Sequence, residues 1–440
     1  MDARPEAAPN PSEQDPEGRG PRLELELLEH ARAFEQHFPA PASAGPVRLF
    51  FSPGRVNLMG AHLDYNGGSV MPMAIDRGTF VAVRERDDRR VRLASTKTSD
   101  ELEFSVDAPP AERTERWVDY PMGVLHTLRG GTPDCAPTPA LPALAAGLGA
   151  RRSDPPARAC GLDVLYGGNL PVGAGLSSSA SICVGTAYAL DAVWGLGLTP
   201  VDRVRMALWA EREFVGVRCG IMDPFAVGLS RAGQLLWLDC KDERVRHLPF
   251  RDEDVLVAIA DTGVRRELAK GEFNARVEQC EQAFRALSPH APEARVLCDV
   301  PLSVLDRHEA ELEPVLAKRA RHVLEEVARL ELARSALERG ELAGFGAQMS
   351  AAHESLRDLY EVSVPELDCL VEASLEVEGV LGTRLTGAGF GGCTVVLLRS
   401  SARDELAAHV GRVFHERFGR RPQIGFYGGD PGPREFQLTN

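Results

Sequence analysis

The stretch Leu170–Ser181 reads LPVGAGLSSSAS and is the most informative part of the chain. The residues before it, GLDVLYGGN, alternate as a strand does, and the apolar residues after it recur at helical spacing. A Gly/Ser loop therefore joins a strand to a helix N-terminus, where free N–H groups and the positive dipole end favour an anion. The loop contains no GKS or GKT, so it is not a Walker A loop. An ordinary glycine-rich turn with a serine cap is the alternative that this segment alone leaves open.

Glycines and serines in this loop are predicted to surround a phosphate. Two glycines let the backbone close on the anion, and three successive serines add hydroxyl donors. The predicted phosphate-binding residues of the loop are Gly173, Gly175, Leu176, Ser177, Ser178 and Ser179.

The composition of the chain excludes several classes of protein. It has 440 residues, enough for two domains, and a formal charge of −14, which argues against a nucleic-acid or membrane-surface partner. Its nine cysteines are scattered without a CxxC pair, as expected in a reducing cytosol and without a zinc site. No apolar run is long enough to span a membrane. We therefore expect a cytoplasmic protein with no obligate protein partner.

The order of predicted elements indicates an α+β fold. Residues 1–22 are polar and proline-rich, which favours a disordered tail, and an amphipathic helix begins near Leu23. Strands, the first of them over residues 47–52, dominate up to about residue 106. A helix is predicted over 200–215, and a strand over 254–261 opens a second half rich in helices. Residues 129–158 are rich in Pro, Gly and Ala without a clear period, which indicates an inserted surface loop.

A second polar motif, GRVNLMGAHLDYNGG, spans residues 54–68. Polar side chains among glycines in a short loop usually hold a polyhydroxylated or anionic ligand. Taken alone, a polar hairpin turn explains the motif equally well.

A third motif, TGAGFGGCTVVLL, spans residues 386–398 and contains a formal GxGxxG. A dinucleotide fold is excluded because the segment runs into a strand instead of opening a helix, and no acidic ribose partner follows. The glycine turn is better explained as one that closes on a nucleotide-binding loop.

In this order and spacing, the three motifs resemble those of the GHMP sugar kinases, and specifically the galactokinase family. The segments CGIMDPFAVGLSRAGQLLWLDC, DTGVRRELAKGEFNARVEQCE and AAHESLRDLYEVSVPELDCLV extend the resemblance over residues 46–398, interrupted by the insertion. It implies a two-domain fold with the active site in the cleft between the domains, here residues 23–245 and 246–440. The implied reaction transfers the γ-phosphate of ATP to the anomeric hydroxyl of a sugar.

The resemblance assigns the catalytic groups. Asp223 in CGIMD is implied to lie beside the anomeric hydroxyl, as proton acceptor or orienting group, although an N-cap role for this aspartate is compatible. Arg55 is implied to lie against Asp223 and the migrating phosphoryl group. Ser179 and Glu211 match the two family positions that hold Mg²⁺, the expected cofactor.

The remaining site residues also follow from the resemblance. Trp117 and Tyr120 match a WxxY element near the nucleotide, with core aromatics as the equal alternative. His62, Asp64 and Gly220 match sugar-contacting positions.

Two positions depart from the family pattern and bear on which sugar is used. Galactokinases usually carry glutamate where this chain has Ala61, and tyrosine where it has Phe273. Loss of the carboxylate weakens galactose and removes a charge that repels an anionic C6, which favours galacturonic acid or another C6-modified sugar. Family members that phosphorylate galacturonic acid resemble this chain in having alanine there. Leu63 favours instead a sugar that lacks C6.

A catalytically silent sensor of sugar and ATP is the second hypothesis. The resemblance implies that a silent member would have lost one of its catalytic or metal positions, and Asp223, Arg55, Ser179 and Glu211 are all present. The predicted partners are therefore a small sugar and ATP, without nucleic acid or membrane.

Overall fold

The computed structural model describes residues 21–39, 44–128, 159–171, 175–217, 219–250, 254–264 and 269–437. The predicted tail up to residue 20, the insertion at 129–158 and the predicted phosphate ligand Gly173 lie outside these ranges. In the part of the chain that is described, no helix combines the length and apolar character needed to cross a membrane.

The first half is built on a mixed sheet of eight strands among the described residues. Its main path runs β12-β1-β2-β5-β3-β4, and β6 pairs with both β2 and β7. The strands are β1 Arg48–Met59, β2 Ser69–Arg86, β3 Arg90–Ser95, β4 Thr98–Ser105, β5 Gly161–Gly168, β6 Gln234–Asp239, β7 Arg244–Pro249 and β12 Arg434–Phe436. Only β3 and β5 pair in parallel within the described residues.

Helices cover both faces of this sheet. The helices of the first half are α1 Pro21–His37, α2 Asp119–Thr127, α3 Ser178–Trp194, α4 Pro200–Trp209 and α5 Met222–Leu229. On one face, α1 buries Leu27, Phe34 and Phe38 against the side chains of β1 and β2. On the other face, α3 packs on β1 and β2, with α4 and α5 alongside it. The N-terminus of α3 is thereby held over the middle of β1.

The second half contains a four-stranded sheet of order β11-β8-β10-β9 and most of the helices. Its strands are β8 Val255–Asp261, β9 Val380–Thr386, β10 Cys393–Arg399 and β11 Gln423–Tyr427. Its helices are α6 Ala269–Leu287, α7 Leu302–His308, α8 Pro314–Glu338, α9 Leu342–Asp358, α10 Pro365–Leu375 and α11 Arg403–Phe418. The α+β class predicted from the sequence is confirmed.

The end of the chain returns to the first sheet. Strand β12 pairs antiparallel with the start of β1, where Leu49 lies opposite Phe436. An ion pair of 2.7 Å between Arg48 and Glu435 fixes the same register. The proposed division at residues 245 and 246 therefore places β12 in the second segment of sequence but in the first sheet. That division stays a prediction.

Two elements differ from the sequence prediction. Strand β1 continues to Met59, so the first six residues of the GRVNLMG motif are strand and not loop. Register shifts at Pro53/Gly54 and Asn57/Met59 let this strand turn polar side chains toward the cleft. The helix predicted over 200–215 is α-helical only to Trp209 and continues as a π-helical turn, Ala210–Phe214. Such turns are frequently found at functional sites.

Candidate active site

A cavity of about 800 Å³ is lined by residues of the second and third motifs, 54–68 and 386–398. The described residues of the first motif do not line it, and Ser177 connects that motif to the cavity through its hydrogen bond with Asp223. The cavity walls come from the end of β1, the loop that follows it, the residues before α5, helix α6 and the glycine turn after β9. Of the predicted residues it is lined by Arg55, Ala61, His62, Asp64, Tyr120, Gly220, Asp223 and Phe273. We call the part around Asp223 the reaction end.

The reaction end is a charge pair in which every polar atom has a partner. Arg55 donates from Nε to Asp223 Oδ1 over 2.8 Å, and its Nη2 lies 2.7 Å from the same oxygen. Arg55 Nη1 donates to the carbonyl of Gly175 over 2.6 Å. The hydroxyl of Ser177 donates to Asp223 Oδ2 over 2.5 Å. The arginine and the serine thus fix both carboxylate oxygens before any substrate binds.

Close approach of two backbones makes this arrangement possible. The N–H of Arg55 donates to the carbonyl of Leu176 over 3.2 Å, which joins β1 to the phosphate loop. At Gly54 a Cβ would lie 2.5 Å from Leu170 Cδ1 and 2.8 Å from the oxygen of Leu176. Only glycine therefore lets the loop come this near to the strand.

Asp223 is the second residue of α5, whose N-cap is Ile221. The N-cap role that the sequence left open is therefore wrong. The carboxylate of Asp223 does not cap the helix, and it points instead toward Arg55 and Ser177 in the cleft.

Glu211 lies in the π-helical turn and is 2% exposed. Burial raises the pKa of this carboxyl to about 7, and a hydrogen bond with Ser179 partly opposes the shift. Its Oε2 is buried and finds no hydrogen-bond partner in the described part of the chain. An unpartnered carboxylate oxygen beside a hydroxyl is a donor set that fits Mg²⁺, which prefers oxygen ligands. These residues are compatible with the predicted metal.

The carboxylate of Asp64 packs directly against Gly220 on the cavity wall. A Cβ at position 220 would lie 1.8 Å from Asp64 Oδ2, so the carboxylate occupies the space that a side chain would need. Burial, and then the nearby Asp223, raise the pKa of Asp64 to about 6. This placement leaves the carboxylate on the cavity wall, where it can accept hydrogen bonds from a hydroxylated ligand.

The loop that carries Asp64 is fixed from both ends by residues of the second half. Glu326 Oε1, fully buried on α8, accepts from the N–H of Gly60 over 3.1 Å and from that of Ala61 over 3.2 Å. At the other end, the hydroxyls of Tyr65 and Tyr360 lie 2.7 Å apart. Sequence reasoning missed Glu326 and Tyr360 because neither belongs to a motif with the loop.

Around Ala61 lies a set of buried polar atoms without partners, which we call the distal end. Its residues Asn57, Ala61, His62 and Arg384 all line the cavity. Arg384 is 1% exposed and donates from Nε and Nη2 to the carbonyls of Leu58 and Asn57, over 2.8 and 2.7 Å. Among the residues that the structure describes, its Nη1 has no hydrogen-bond partner, and neither has His62 Nε2 or Asn57 Oδ1.

The electrostatics of the distal end are positive. Burial lowers the pKa of Arg384 only to about 10, so its guanidinium remains charged at neutral pH. Burial, and then Arg384, lower the pKa of His62 to about 3, so that imidazole is neutral. A desolvated guanidinium N–H without an acceptor is costly, and an anionic ligand would satisfy Nη1 of Arg384.

Several predicted residues lie away from the cavity. Trp117 packs edge-on against Tyr166 at 5.3 Å, and its indole Nε1 is buried without a partner. The side chains of Leu176 and Leu63 are buried in the core, so Leu63 does not shape the sugar pocket. Phe273, by contrast, does line the cavity, and its ring centroid lies 5.3 Å from that of Tyr65. Ser178 begins α3 beside Ser177.

Three family models match the chain. The galactokinase galactose-binding signature matches residues 32–85, the GHMP kinases N terminal domain 141–231, and the GHMP kinases C terminal model 333–416. The first match covers the strand and loop that bear Arg55 and Asp64, and the second covers Ser177, Glu211 and Asp223.

Curated galactokinases match over nearly the whole chain. That of Chloroflexus aggregans is 40% identical over 399 residues, which are 91% of this chain and 95% of the relative. That of Enterococcus faecalis is 37% identical over 375 residues, 84% of this chain and 90% of the relative.

Solved structures agree with the sequence relatives. Lactococcus lactis galactokinase complexed with galactose superposes with a TM-score of 0.82 at 30% identity, covering 93% of this chain and all of that one. Methanococcus jannaschii mevalonate kinase shares the fold, with a TM-score of 0.58 at 19% identity over 89% of this chain and all of that one.

Proposed function

The chain belongs to the galactokinase family of the GHMP kinases and is a sugar kinase, and we propose that it phosphorylates the anomeric hydroxyl of a galactose-type sugar. The products are the sugar 1-phosphate and ADP. The observation that carries the proposal is the pair of Arg55 and Asp223 at the reaction end, held by Ser177 and by the carbonyl of Gly175.

In this mechanism Asp223 accepts a hydrogen bond from the anomeric hydroxyl and either orients it or takes its proton. Arg55 pairs with that carboxylate and donates toward the phosphoryl group as negative charge develops on it. The N-terminus of α3 and its serines lie beside them and bind the phosphates of ATP. Because phosphoryl transfer needs little covalent help, positioning and charge account for most of the catalysis.

Mg²⁺ would be held by Glu211 and Ser179, where it would neutralise the charge of the phosphates. The buried and unpartnered oxygen of Glu211 supports this placement. Tyr120 lines the cavity around Asp223 and is proposed to contact the nucleotide. Trp117 is proposed to act behind it as a wall of the pocket.

For the acceptor, we infer that galacturonic acid is preferred to galactose. Asp64, His62 and the backbone at Gly220 would contact the ring, with C1 at the reaction end and C6 at the distal end. A C6 carboxylate then meets Ala61, which has no charge, and the unpartnered Nη1 of Arg384. Galactose offers only a neutral hydroxyl there, so Nη1 of Arg384 would lack an anionic partner.

Release of ADP over a panel of hexoses and uronic acids tests the proposal, with the phosphorylated carbon identified by ³¹P NMR. We expect a 1-phosphate product and a higher kcat/KM for galacturonic acid than for galactose. A product phosphorylated elsewhere would contradict the proposed reaction. Sugar and ATP binding without ADP release would support the sensor instead, and a clear preference for galactose would overturn only the inference on the acceptor.

A further inference from the structure

Three metal-ligating side chains meet on the surface of the second half, outside the cavity described above. His290 ends a short 3₁₀ turn, Ser288–His290, that follows α6. His308 ends α7, and Glu311 ends the next 3₁₀ turn, Glu309–Glu311. One ligand atom from each of the three residues lies within 4.8 Å of the other two.

The geometry of the three side chains is that of a convergent site. His308 Nδ1 lies 2.8 Å from Glu311 Oε1, and His290 Nε2 lies 3.5 Å from Glu311 Oε2. The two imidazole rings are stacked, with centroids 3.7 Å apart and planes inclined by 19°. Binding of a shared ion at about 2.0–2.2 Å would require the stacked rings to turn until their nitrogen lone pairs converge on it.

The surroundings favour a cation. Residues 288–313 carry six acidic and two basic side chains. Within the described ranges, Glu311 forms ion pairs only with the two histidines. The nearby Arg321 is occupied by Asp306 and Glu309 and leaves Glu311 to the imidazoles.

We propose that His290, His308 and Glu311 bind one divalent transition-metal ion of the Zn²⁺ class, with water completing its coordination. Two imidazoles and a carboxylate suit Zn²⁺, Ni²⁺ or Cu²⁺, whereas Mg²⁺ prefers oxygen ligands. This site is therefore chemically distinct from the one proposed at Glu211 and Ser179.

The site would join the two ends of the segment between His290 and His308, which packs on the loop that carries Asp64. Between the histidines, Val296 and Cys298 lie against Gly67 and Gly68, where a Cβ would come within 2.7 and 2.8 Å of them. Leu297 and Val300 of the same segment are buried in the core. An ion shared by His290 and His308 closes this segment into a loop, and it stabilises the folded chain by an amount that grows with the logarithm of the metal concentration above Kd.

Titration of the full-length chain with Zn²⁺, in the presence of excess Mg²⁺, tests the proposal by calorimetry. His290→Gln and His308→Gln should each weaken Zn²⁺ binding at least as much as the roughly 10- to 100-fold that loss of an outer-shell partner costs. His409→Gln is the matched control, since His409 forms an exposed pair with Glu376 at 2.7 Å but has no second histidine.

Two further readouts are independent of activity. Co²⁺ should give visible d–d absorption in the wild type and not in His308→Gln. Zn²⁺ should slow hydrogen exchange of residues 291–301 in the wild type alone. Unchanged Zn²⁺ affinity in both histidine variants, or an equal loss in His409→Gln, would overturn the proposal.

Discussion

The two ends of the cavity differ in how far the protein completes them. At the reaction end both oxygens of Asp223 and all three guanidinium nitrogens of Arg55 have protein partners. At the distal end a nitrogen of Arg384, a nitrogen of His62 and the amide oxygen of Asn57 have none. Groups that act on every substrate are fixed in advance, whereas groups that select the substrate are left for the substrate to satisfy.

The largest effect should come from breaking the completed end. Asp223→Asn keeps the shape of the side chain but removes the negative charge that pairs with Arg55 and is proposed to accept the hydrogen bond of the anomeric hydroxyl. We expect kcat to fall by roughly 10²- to 10⁴-fold, with sugar binding nearly unchanged, as measured by steady-state kinetics and calorimetry. Ser177→Ala, which removes one hydroxyl and keeps the carboxylate, should cost much less. A near-normal kcat in Asp223→Asn would contradict the proposed role.

Filling the distal end should reverse the choice of sugar. In Ala61→Glu the new carboxylate pairs with Arg384 and repels a C6 carboxylate. We expect kcat/KM for galacturonic acid to fall roughly tenfold to a hundredfold, about 1.4–2.8 kcal/mol, while that for galactose rises.

Ala61→Gln is the matched control, because it adds the same volume without the charge. It should reduce activity on galacturonic acid less than Ala61→Glu does. Equal losses in the two variants would mean that space, and not charge, sets the preference. A wild type that prefers galactose, with no gain in Ala61→Glu, would remove the contrast between the two ends.

The proposed metal position gives a further test at the reaction end. Glu211→Gln and Ser179→Ala should each raise the Mg²⁺ concentration needed for half-maximal rate by about tenfold and weaken ATP. Sugar binding without nucleotide should not change. Unaltered Mg²⁺ titrations in both variants would show that the unpartnered oxygen of Glu211 serves another purpose.

The smallest expected effect is on the stability of the fold and comes from the carboxyl group of Glu211. Because its pKa is about 7 in the fold and 4.5 otherwise, the metal-free folded state holds more protons than the unfolded state between these values. Stability therefore falls as pH rises through this interval, and Tm of the wild type should drop by a few degrees more than that of Glu211→Gln. An equal drop in both would contradict the assignment, and Mg²⁺ with ATP should reduce the difference.

The sequence predicted elements whose signals are local. The phosphate loop before α3, the strands of the first sheet and the long helices α8 and α9 follow from periodicity, glycine content and proline position. Strand β1 was predicted too short, because bulges at Gly54 and Asn57 make its end look like a loop. Glu211 was identified only through family resemblance, since a glutamate in a helical pattern otherwise indicates a solvated face.

The distal end could not be predicted from the sequence because its residues are far apart in it. Arg384 bonds the carbonyl of Asn57 across 327 positions, and Glu326 bonds Gly60 across 266. The loss of a carboxylate at Ala61 was visible in the second motif, but apart from the catalytic Arg55 that motif has no lysine or arginine that could bind an anionic C6. Only the fold shows that an arginine two residues before the third motif, Arg384, lies there.

The pairing of β12 with β1 has a consequence for how the chain is made. Synthesis proceeds from the N-terminus, so β1, with Arg55 on it, emerges long before residues 434–436 exist. Until then the outer edge of β1 presents unpaired backbone groups to any other extended chain. Strand β1 therefore has an unpaired edge throughout translation, and at that stage a chaperone or the rate of synthesis must protect it from pairing with another chain.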